Sequence, residues 1–266
     1  MKRREFCRNT LAGGLIASNP FLAAYAQADT GIQAISLGGA EIELEKSAVN
    51  ELAGELSGRL VMAGHPDYDT VRKVWNGMHD KRPALIARCA NDKDVRHAVN
   101  FARERDLLVA VRGGGHSWPG KSVCDGGMMI DLADMQAVDV DTASRRAHTQ
   151  GGALLGHLDT AALKHGMVTT AGVVSHTGVG GYTLGGGFGR LNRKYGLTID
   201  NLAAADVVTA DGTLRTVSAD QEPDLFWAIR GGGGNFGVAT RFEFRLHPFD
   251  RNVLSGLIVW PVAQAR

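Results

Sequence analysis

Two glycine-rich stretches hold the residues whose types could do chemistry. The first is Arg112-Gly113-Gly114-Gly115-His116-Ser117, delivered by the apolar run that ends at Val111; the second runs from Gly178 to Gly189. Three successive glycines strip a turn of side chains, so main-chain N–H groups can approach a pyrophosphate closely, and Arg112 adds positive charge beside them. A lone histidine is ordinarily a satisfied surface or core residue. Directly after such a turn, His116 is instead held against whatever the turn binds. The pattern reads as a cradle for a large phosphate-bearing cofactor.

The elements that must position this cradle are legible on either side of it. Ala84-Leu85-Ile86-Ala87 reads as a buried strand, and Asn91-Asp92 caps a helix with Val95, Ala98, Val99 and Ala102 on one face. Leu107 to Val111 is a second buried strand, so a strand, helix, strand unit ends at Arg112, the usual place for a ligand loop. Met128 to Leu132 and Val138 to Asp141 predict two further strands. Gly151-Gly152 opens a helix over 154–164 that Gly166 stops. After the second glycine run, Asp211-Gly212 joins 206–210 to 214–217 as a hairpin. A helix over 224–229 halts at a third glycine cluster, Gly231 to Gly234, and 236–246 closes the region as strand. Before all of these lies a leader, 29–78, with helix-like stretches and polar loops, ending in Val74-Trp75-Asn76.

Composition narrows the function classes. The chain is 44% hydrophobic, and 29 Lys+Arg against 28 Asp+Glu leaves no basic excess to hold a nucleic-acid backbone. The 35 glycines are gathered in clusters, as cofactor loops would gather them. Residues 1–28 read as an export signal: Lys2-Arg3-Arg4, an apolar run from Leu11 to Ala24 broken by Gly13, Gly14 and Pro20, then Ala26-Gln27-Ala28 for cleavage. Arg3-Arg4 with Phe6 resembles the twin-arginine signal, which carries folded, cofactor-loaded proteins to the periplasm or beyond, so no membrane span is expected in the mature chain. The mature chain then holds only Cys89 and Cys124, too few for a disulfide framework, and no close Cys/His spacing suggests a metal.

From about Tyr68 to Pro248 the chain resembles the flavin oxidases with a vanillyl-alcohol-oxidase (PCMH) type FAD domain, in the branch of berberine bridge enzyme and 6-hydroxy-D-nicotine oxidase. The resemblance rests on Arg112 to Ser117; Asp125-Gly126-Gly127 with Asp131-Leu132; Gly178 to Gly187; Lys194-Tyr195-Gly196-Leu197 with Asp200-Asn201; and Leu225-Phe226-Trp227-Ala228 through Asn235-Phe236-Gly237. Each piece alone is weak, but their order and spacing together are specific.

The resemblance implies an α+β fold, a two-lobed PCMH-type FAD-binding domain over 79–250 with a small βαβ-containing lobe and a larger mixed-sheet lobe. Residues 251–266 would be the start of a substrate domain that is otherwise missing. It implies FAD joined covalently through its 8α-methyl to His116, with Arg112, Gly113, Gly114, Gly115 and Ser117 around it. Val173, Thr177, Gly178, Gly181 and Gly186 are placed around the isoalloxazine and pyrophosphate, and Val238 near the adenine. Some relatives add a cysteinyl link; Val174 stands at that position, so a single link is expected. Thr177 matches the position that controls oxygen access, and His176 faces either the substrate as a base or the flavin in a structural role. The implied activity is hydride transfer from a small-molecule alcohol, sugar or amine to flavin N5, with O2 as acceptor; no catalytic residue is assigned. A quinone- or cytochrome-linked dehydrogenase and a non-catalytic flavin-binding module share these motifs. A nicotinamide Rossmann domain is disfavoured by the glycine spacing.

Overall fold

The computed structural model describes residues 31–249 and 256–264; the export signal read at 1–28 lies outside them. A first lobe opens with the hairpin β1 (Ile32–Ile35) and β2 (Glu41–Leu44), followed by α1 (Lys46–Glu55), β3 (Arg59–Val61), the single turn α2 (Tyr68–Val71) and β4 (Leu85–Arg88). It continues through α3 (Asp92–Glu104), β5 (Val109–Arg112) and β6 (Met128–Asp131). Its sheet runs β3-β4-β6-β5, with β4 and β5 both parallel to β6 and β3 antiparallel to β4. The expected strand, helix, strand unit is therefore present, but β6 lies between its two strands.

Alternation along these strands builds two cores. Leu85, Ala87, Met128 and Ile130 pack with Val95, Ala98 and Ala102 of α3, whereas Ile86 and Met129 face the opposite way, against Val61, Tyr68 and Val71. Asn91 caps α3 by accepting from Asp94 N at 3.0 Å. Fully buried Asp94 in turn accepts from Ser57 N and Gly58 N, both at 2.9 Å, and from Ala90 N at 2.8 Å, fastening α3 to the turn that precedes β3.

The reading of 29–78 as a leader is corrected here. Its residues Ala34, Leu44, Val49, Leu52 and Leu56 belong to the same buried cluster as the sheet, and β3 is one of the sheet's strands. The alternation in these strands is short and interrupted by Gly38, Gly39 and Gly58, which hid them from a search for longer periodic runs.

The second lobe holds β7 (Val138–Asp141), β8 (Arg146–Gln150), α4 (Leu155–Leu163), β9 (Met167–Val168), α5 (Val179–Leu184), α6 (Asn192–Tyr195), β10 (Leu202–Val208), β11 (Leu214–Ser218), α7 (Pro223–Ile229), β12 (Val238–Arg245) and β13 (His247–Pro248). Five strands form an antiparallel sheet in the order β11-β10-β12-β8-β7. Phe242 and Phe244 of the central β12 stack at 6.0 Å and pack with Leu155, Leu158, Val179 and Phe226. The Asp211-Gly212 turn forms as expected, with Gly212 at φ +76°, and its carbonyls accept from Arg96 at 3.1 Å and Arg103 at 2.7 Å of α3. Val208 and Val238 complete the first lobe's core, so the lobes share apolar packing as well.

No helix among the described residues is long and apolar enough to cross a membrane. Residues 256–264 carry Leu257, Ile258, Val259, Trp260 and Val262 exposed.

On α4, burial alone pushes the Asp159 carboxyl up to about 6. The charged form is the one disfavoured by folding, so this group's contribution to stability is complete below its unfolded value and is lost as pH rises through about 6. Asp159→Asn is therefore expected to raise the urea midpoint at about pH 8 and to leave it nearly unchanged at about pH 4. Equal shifts at both pH values would show that ionisation of Asp159 does not oppose folding.

Candidate functional site

The two glycine loops meet backbone to backbone. A Cβ on Gly114 would overlap the nitrogen and Cα of Gly178, and one on Gly178 would overlap Gly114 in return. Gly113 lies against the Gly151 carbonyl, where an added Cβ would stand at 3.2 Å. The second loop is stitched to the turn at the start of α4: Leu155 N donates to Thr177 O at 2.9 Å, Gly156 N to Ser175 O at 2.8 Å and Val179 N to Ala153 O at 2.8 Å. Gly151 N donates to Thr240 O at 2.8 Å, which ties that turn to β12. The third glycine cluster joins through Gly231 N, which donates to Leu184 O at 3.0 Å at the end of α5.

These contacts sort the glycines by cause. Gly113, Gly114 and Gly178 are required by close approach of main chain, whereas Gly181, Gly186, Gly231, Gly233 and Gly234 have nothing within 4 Å of the place a Cβ would occupy. Gly186, Gly231 and Gly233 also hold positive φ, +111°, +114° and +68°, whereas Gly181 and Gly234 simply leave bare backbone facing open space, the surface a large cofactor needs. Gly115 turns the chain at φ +69° and sets His116 at the mouth of that space.

His116 is held by two rings. Trp75 stacks on its face with centroids 5.0 Å apart and planes 17° apart, and its Nε2 lies 2.6 Å from Nδ1 of His176, within hydrogen-bonding distance. Burial, and then the neighbouring His176, hold His116 below the ordinary imidazole value, so it is neutral near pH 7. Trp75 is itself fixed to the loop, since its N–H donates to Gly115 O at 3.1 Å, and Asn76 Nδ2 donates to Trp118 O at 3.0 Å. The sequence showed Trp75 without a reason for it. An aromatic flanked by Asn76 and followed by His79, which also meets Trp118 O at 2.9 Å, was the available signal.

Arg112 has protein partners of its own. Its guanidinium donates to the carbonyls of Val71 and of Lys73, the latter at 3.3 Å, and pairs with Asp131 at 3.5 Å. Asp131 is fully buried and also faces Arg88 at 3.6 Å. The side chain holds the 71–73 segment to the sheet beneath the glycine turn.

Of the other expected positions, Ser117 turns inward: its Oγ accepts from Lys121 N at 3.0 Å. Thr177 lies on the stitched loop and Val173 is exposed nearby, whereas Val238 is buried in register with Val208. The 194–201 motif is an anchor: Asn201 is buried, its Nδ2 donates to the carbonyls of Tyr195 and Leu197 at 2.9 Å each, and its Oδ1 meets His247, which stacks on Tyr195 at 4.1 Å.

A family model described as an FAD binding domain matches residues 83–218. The chain belongs to that family. The chain is 40% identical over 213 residues to (R)-6-hydroxynicotine oxidase of Paenarthrobacter nicotinovorans, covering 79% of this chain and 46% of that protein. Among solved structures, 6-hydroxy-D-nicotine oxidase from Arthrobacter nicotinovorans superposes with a TM-score of 0.71 at 40% identity, over 73% of this chain and 43% of that one. Glucooligosaccharide oxidase from Acremonium strictum, whose cofactor is described as 6-S-cysteinyl, 8α-N1-histidyl FAD, does so with a TM-score of 0.70 at 33% identity, over 76% of this chain and 42% of that one. The chain thus spans about half the length of the curated relatives it matches.

The residues present fit FAD: bare glycine backbone borders open space, and a neutral imidazole stands at its mouth. Gly181→Ala is expected to leave the urea midpoint of the cofactor-free chain unchanged or slightly raised, since Ala is the better helix former at an open helical position, while weakening FAD binding. Gly114→Ala is expected to lower the midpoint, reflecting a loss of about 1–3 kcal/mol of stability, typical of forced backbone shifts. Loss of stability in the Gly181 variant, or none in the Gly114 variant, would reverse the division of the glycines drawn above.

Proposed function

We propose that this chain is the FAD-carrying part of a flavin oxidase, with FAD attached covalently through His116, an alcohol, sugar or amine as hydride donor and dioxygen as acceptor. The observation that carries the reading is His116 itself, neutral, stacked on Trp75 and set at the edge of a glycine-lined space. Bound FAD supplies the electron sink that accepts hydride and passes electrons on. The chain's part is to hold and orient it. Gly181, Gly186 and the 231–234 cluster present main chain without side chains, and the contact of Gly114 with Gly178 keeps the two loops at a fixed separation. A neutral imidazole has the lone pair that bond formation needs. The two oxidases above are named for hydroxynicotine and for a glucooligosaccharide, which supports an oxidisable small molecule as substrate. Val174, at the place of the cysteinyl link, supports a single covalent bond.

Export by the twin-arginine route is part of the same proposal and rests on residues 1–28 alone. A covalent bond would keep the cofactor from being lost after export.

Acid precipitation of the purified chain followed by peptide mass mapping tests these points together. Expected are a flavin mass on the peptide holding His116, none in His116→Ala, and a mature N-terminus at Asp29; with a substrate-binding part added to complete the site, oxygen consumption with an oxidisable substrate is expected. Yellow colour recovered wholly in the acid supernatant would exclude the covalent bond; reduction of a dye without oxygen uptake would identify a dehydrogenase.

A further inference from the structure

The contact between His116 and His176 involves one particular nitrogen of each ring. Nε2 of His116 lies 2.6 Å from Nδ1 of His176, the ring centroids are 4.6 Å apart, and Trp75 covers the His116 face. We propose that His176 is a positioning residue for cofactor attachment: by engaging Nε2 it leaves Nδ1 of His116 as the atom that bonds to FAD, and it receives the proton that Nε2 gives up when that bond forms. The inference rests on the covalent reading of His116 made above.

The chemistry requires such a partner. A neutral imidazole carries one proton; with it on Nε2 and donated to His176, the lone pair is on Nδ1. Substitution at Nδ1 makes the ring cationic unless the Nε2 proton leaves, and a cation is disfavoured where burial already holds His116 neutral. In the balanced reaction the 8-methyl carbon of the isoalloxazine loses one hydrogen as a proton and gains the bond to Nδ1, and Nε2 loses its proton to His176. The electron pair of the broken C–H bond reduces the isoalloxazine, which takes up two protons, and dioxygen reoxidises it with release of hydrogen peroxide. His176 is suited to the relay because it is exposed and can pass the proton to water, while its loop is fixed by the Ser175 and Thr177 carbonyl contacts to α4.

The test uses the full chain prepared under riboflavin limitation, mixed with FAD, with covalent flavin followed by its fluorescence in denaturing gels. His176→Leu is expected to slow attachment about a hundred-fold or more, the range for loss of a positioned proton acceptor, with linkage at both ring nitrogens and recovery of rate on adding imidazole. His176→Gln is expected to keep the Nδ1 linkage, since its amide oxygen can accept from Nε2–H, yet remain slow because an amide does not take up the proton. Attachment by His176→Leu at the normal rate and solely through Nδ1, or a slow variant indifferent to imidazole, overturns the assignment of His176 while leaving covalent attachment to His116 intact. A normal chain that holds FAD without a covalent bond overturns both.

Discussion

Everything at the site depends on two stretches of main chain meeting without side chains between them. Gly114 and Gly178 touch directly, and no residue with a Cβ fits at either place. The contact is held from behind by the turn at the start of α4, which binds the second loop through Ser175, Thr177 and Val179 and is bound to the sheet through Gly151 and Thr240. One loop belongs to the mixed sheet of the first lobe and the other to the antiparallel lobe, so the junction of the lobes is also the place where His116 is presented. Small changes in that junction move the imidazole relative to the open space lined by the glycines around α5.

A second constraint lies beneath the first loop. Asp131 is buried between Arg88 and Arg112 at 3.6 and 3.5 Å, and burial raises its carboxyl even though both arginines act to lower it. A buried carboxylate of this kind is costly alone and acceptable when paired. The pairing explains why Arg112 sits at the entrance of the glycine turn: it joins β5, β6 and the 71–73 carbonyls, and through that segment supports Trp75 over His116. The charge serves the architecture of the loop.

Much of this was legible in the sequence. The strands at 85–88 and 128–131, the helix capped by Asn91 and the Asp211-Gly212 hairpin follow from periodicity and turn chemistry and stand where those signals put them. The glycine clusters and His116 marked the site. The rest was hidden for physical reasons. Close approach of one loop to another and close approach of a loop to a ligand select the same residue, so sequence alone did not separate Gly114 from Gly181. The direction of a long side chain such as Arg112 depends on Asp131 and on carbonyls distant in the chain. The strands of 31–61 are three and four residues long, too short to show a period, and Trp75 acquires its meaning only when the fold brings it over the imidazole.

The most direct test is amide hydrogen exchange of the full chain with and without FAD, resolved to the peptides spanning 112–118 and 175–181. If the two loops form one unit through Gly114 and Gly178, both peptides gain protection together on addition of FAD, and Gly114→Ala abolishes the gain in both. Protection of one loop while the other exchanges as before, or no response in either, would contradict the joined cradle on which the structure and its proposed chemistry depend.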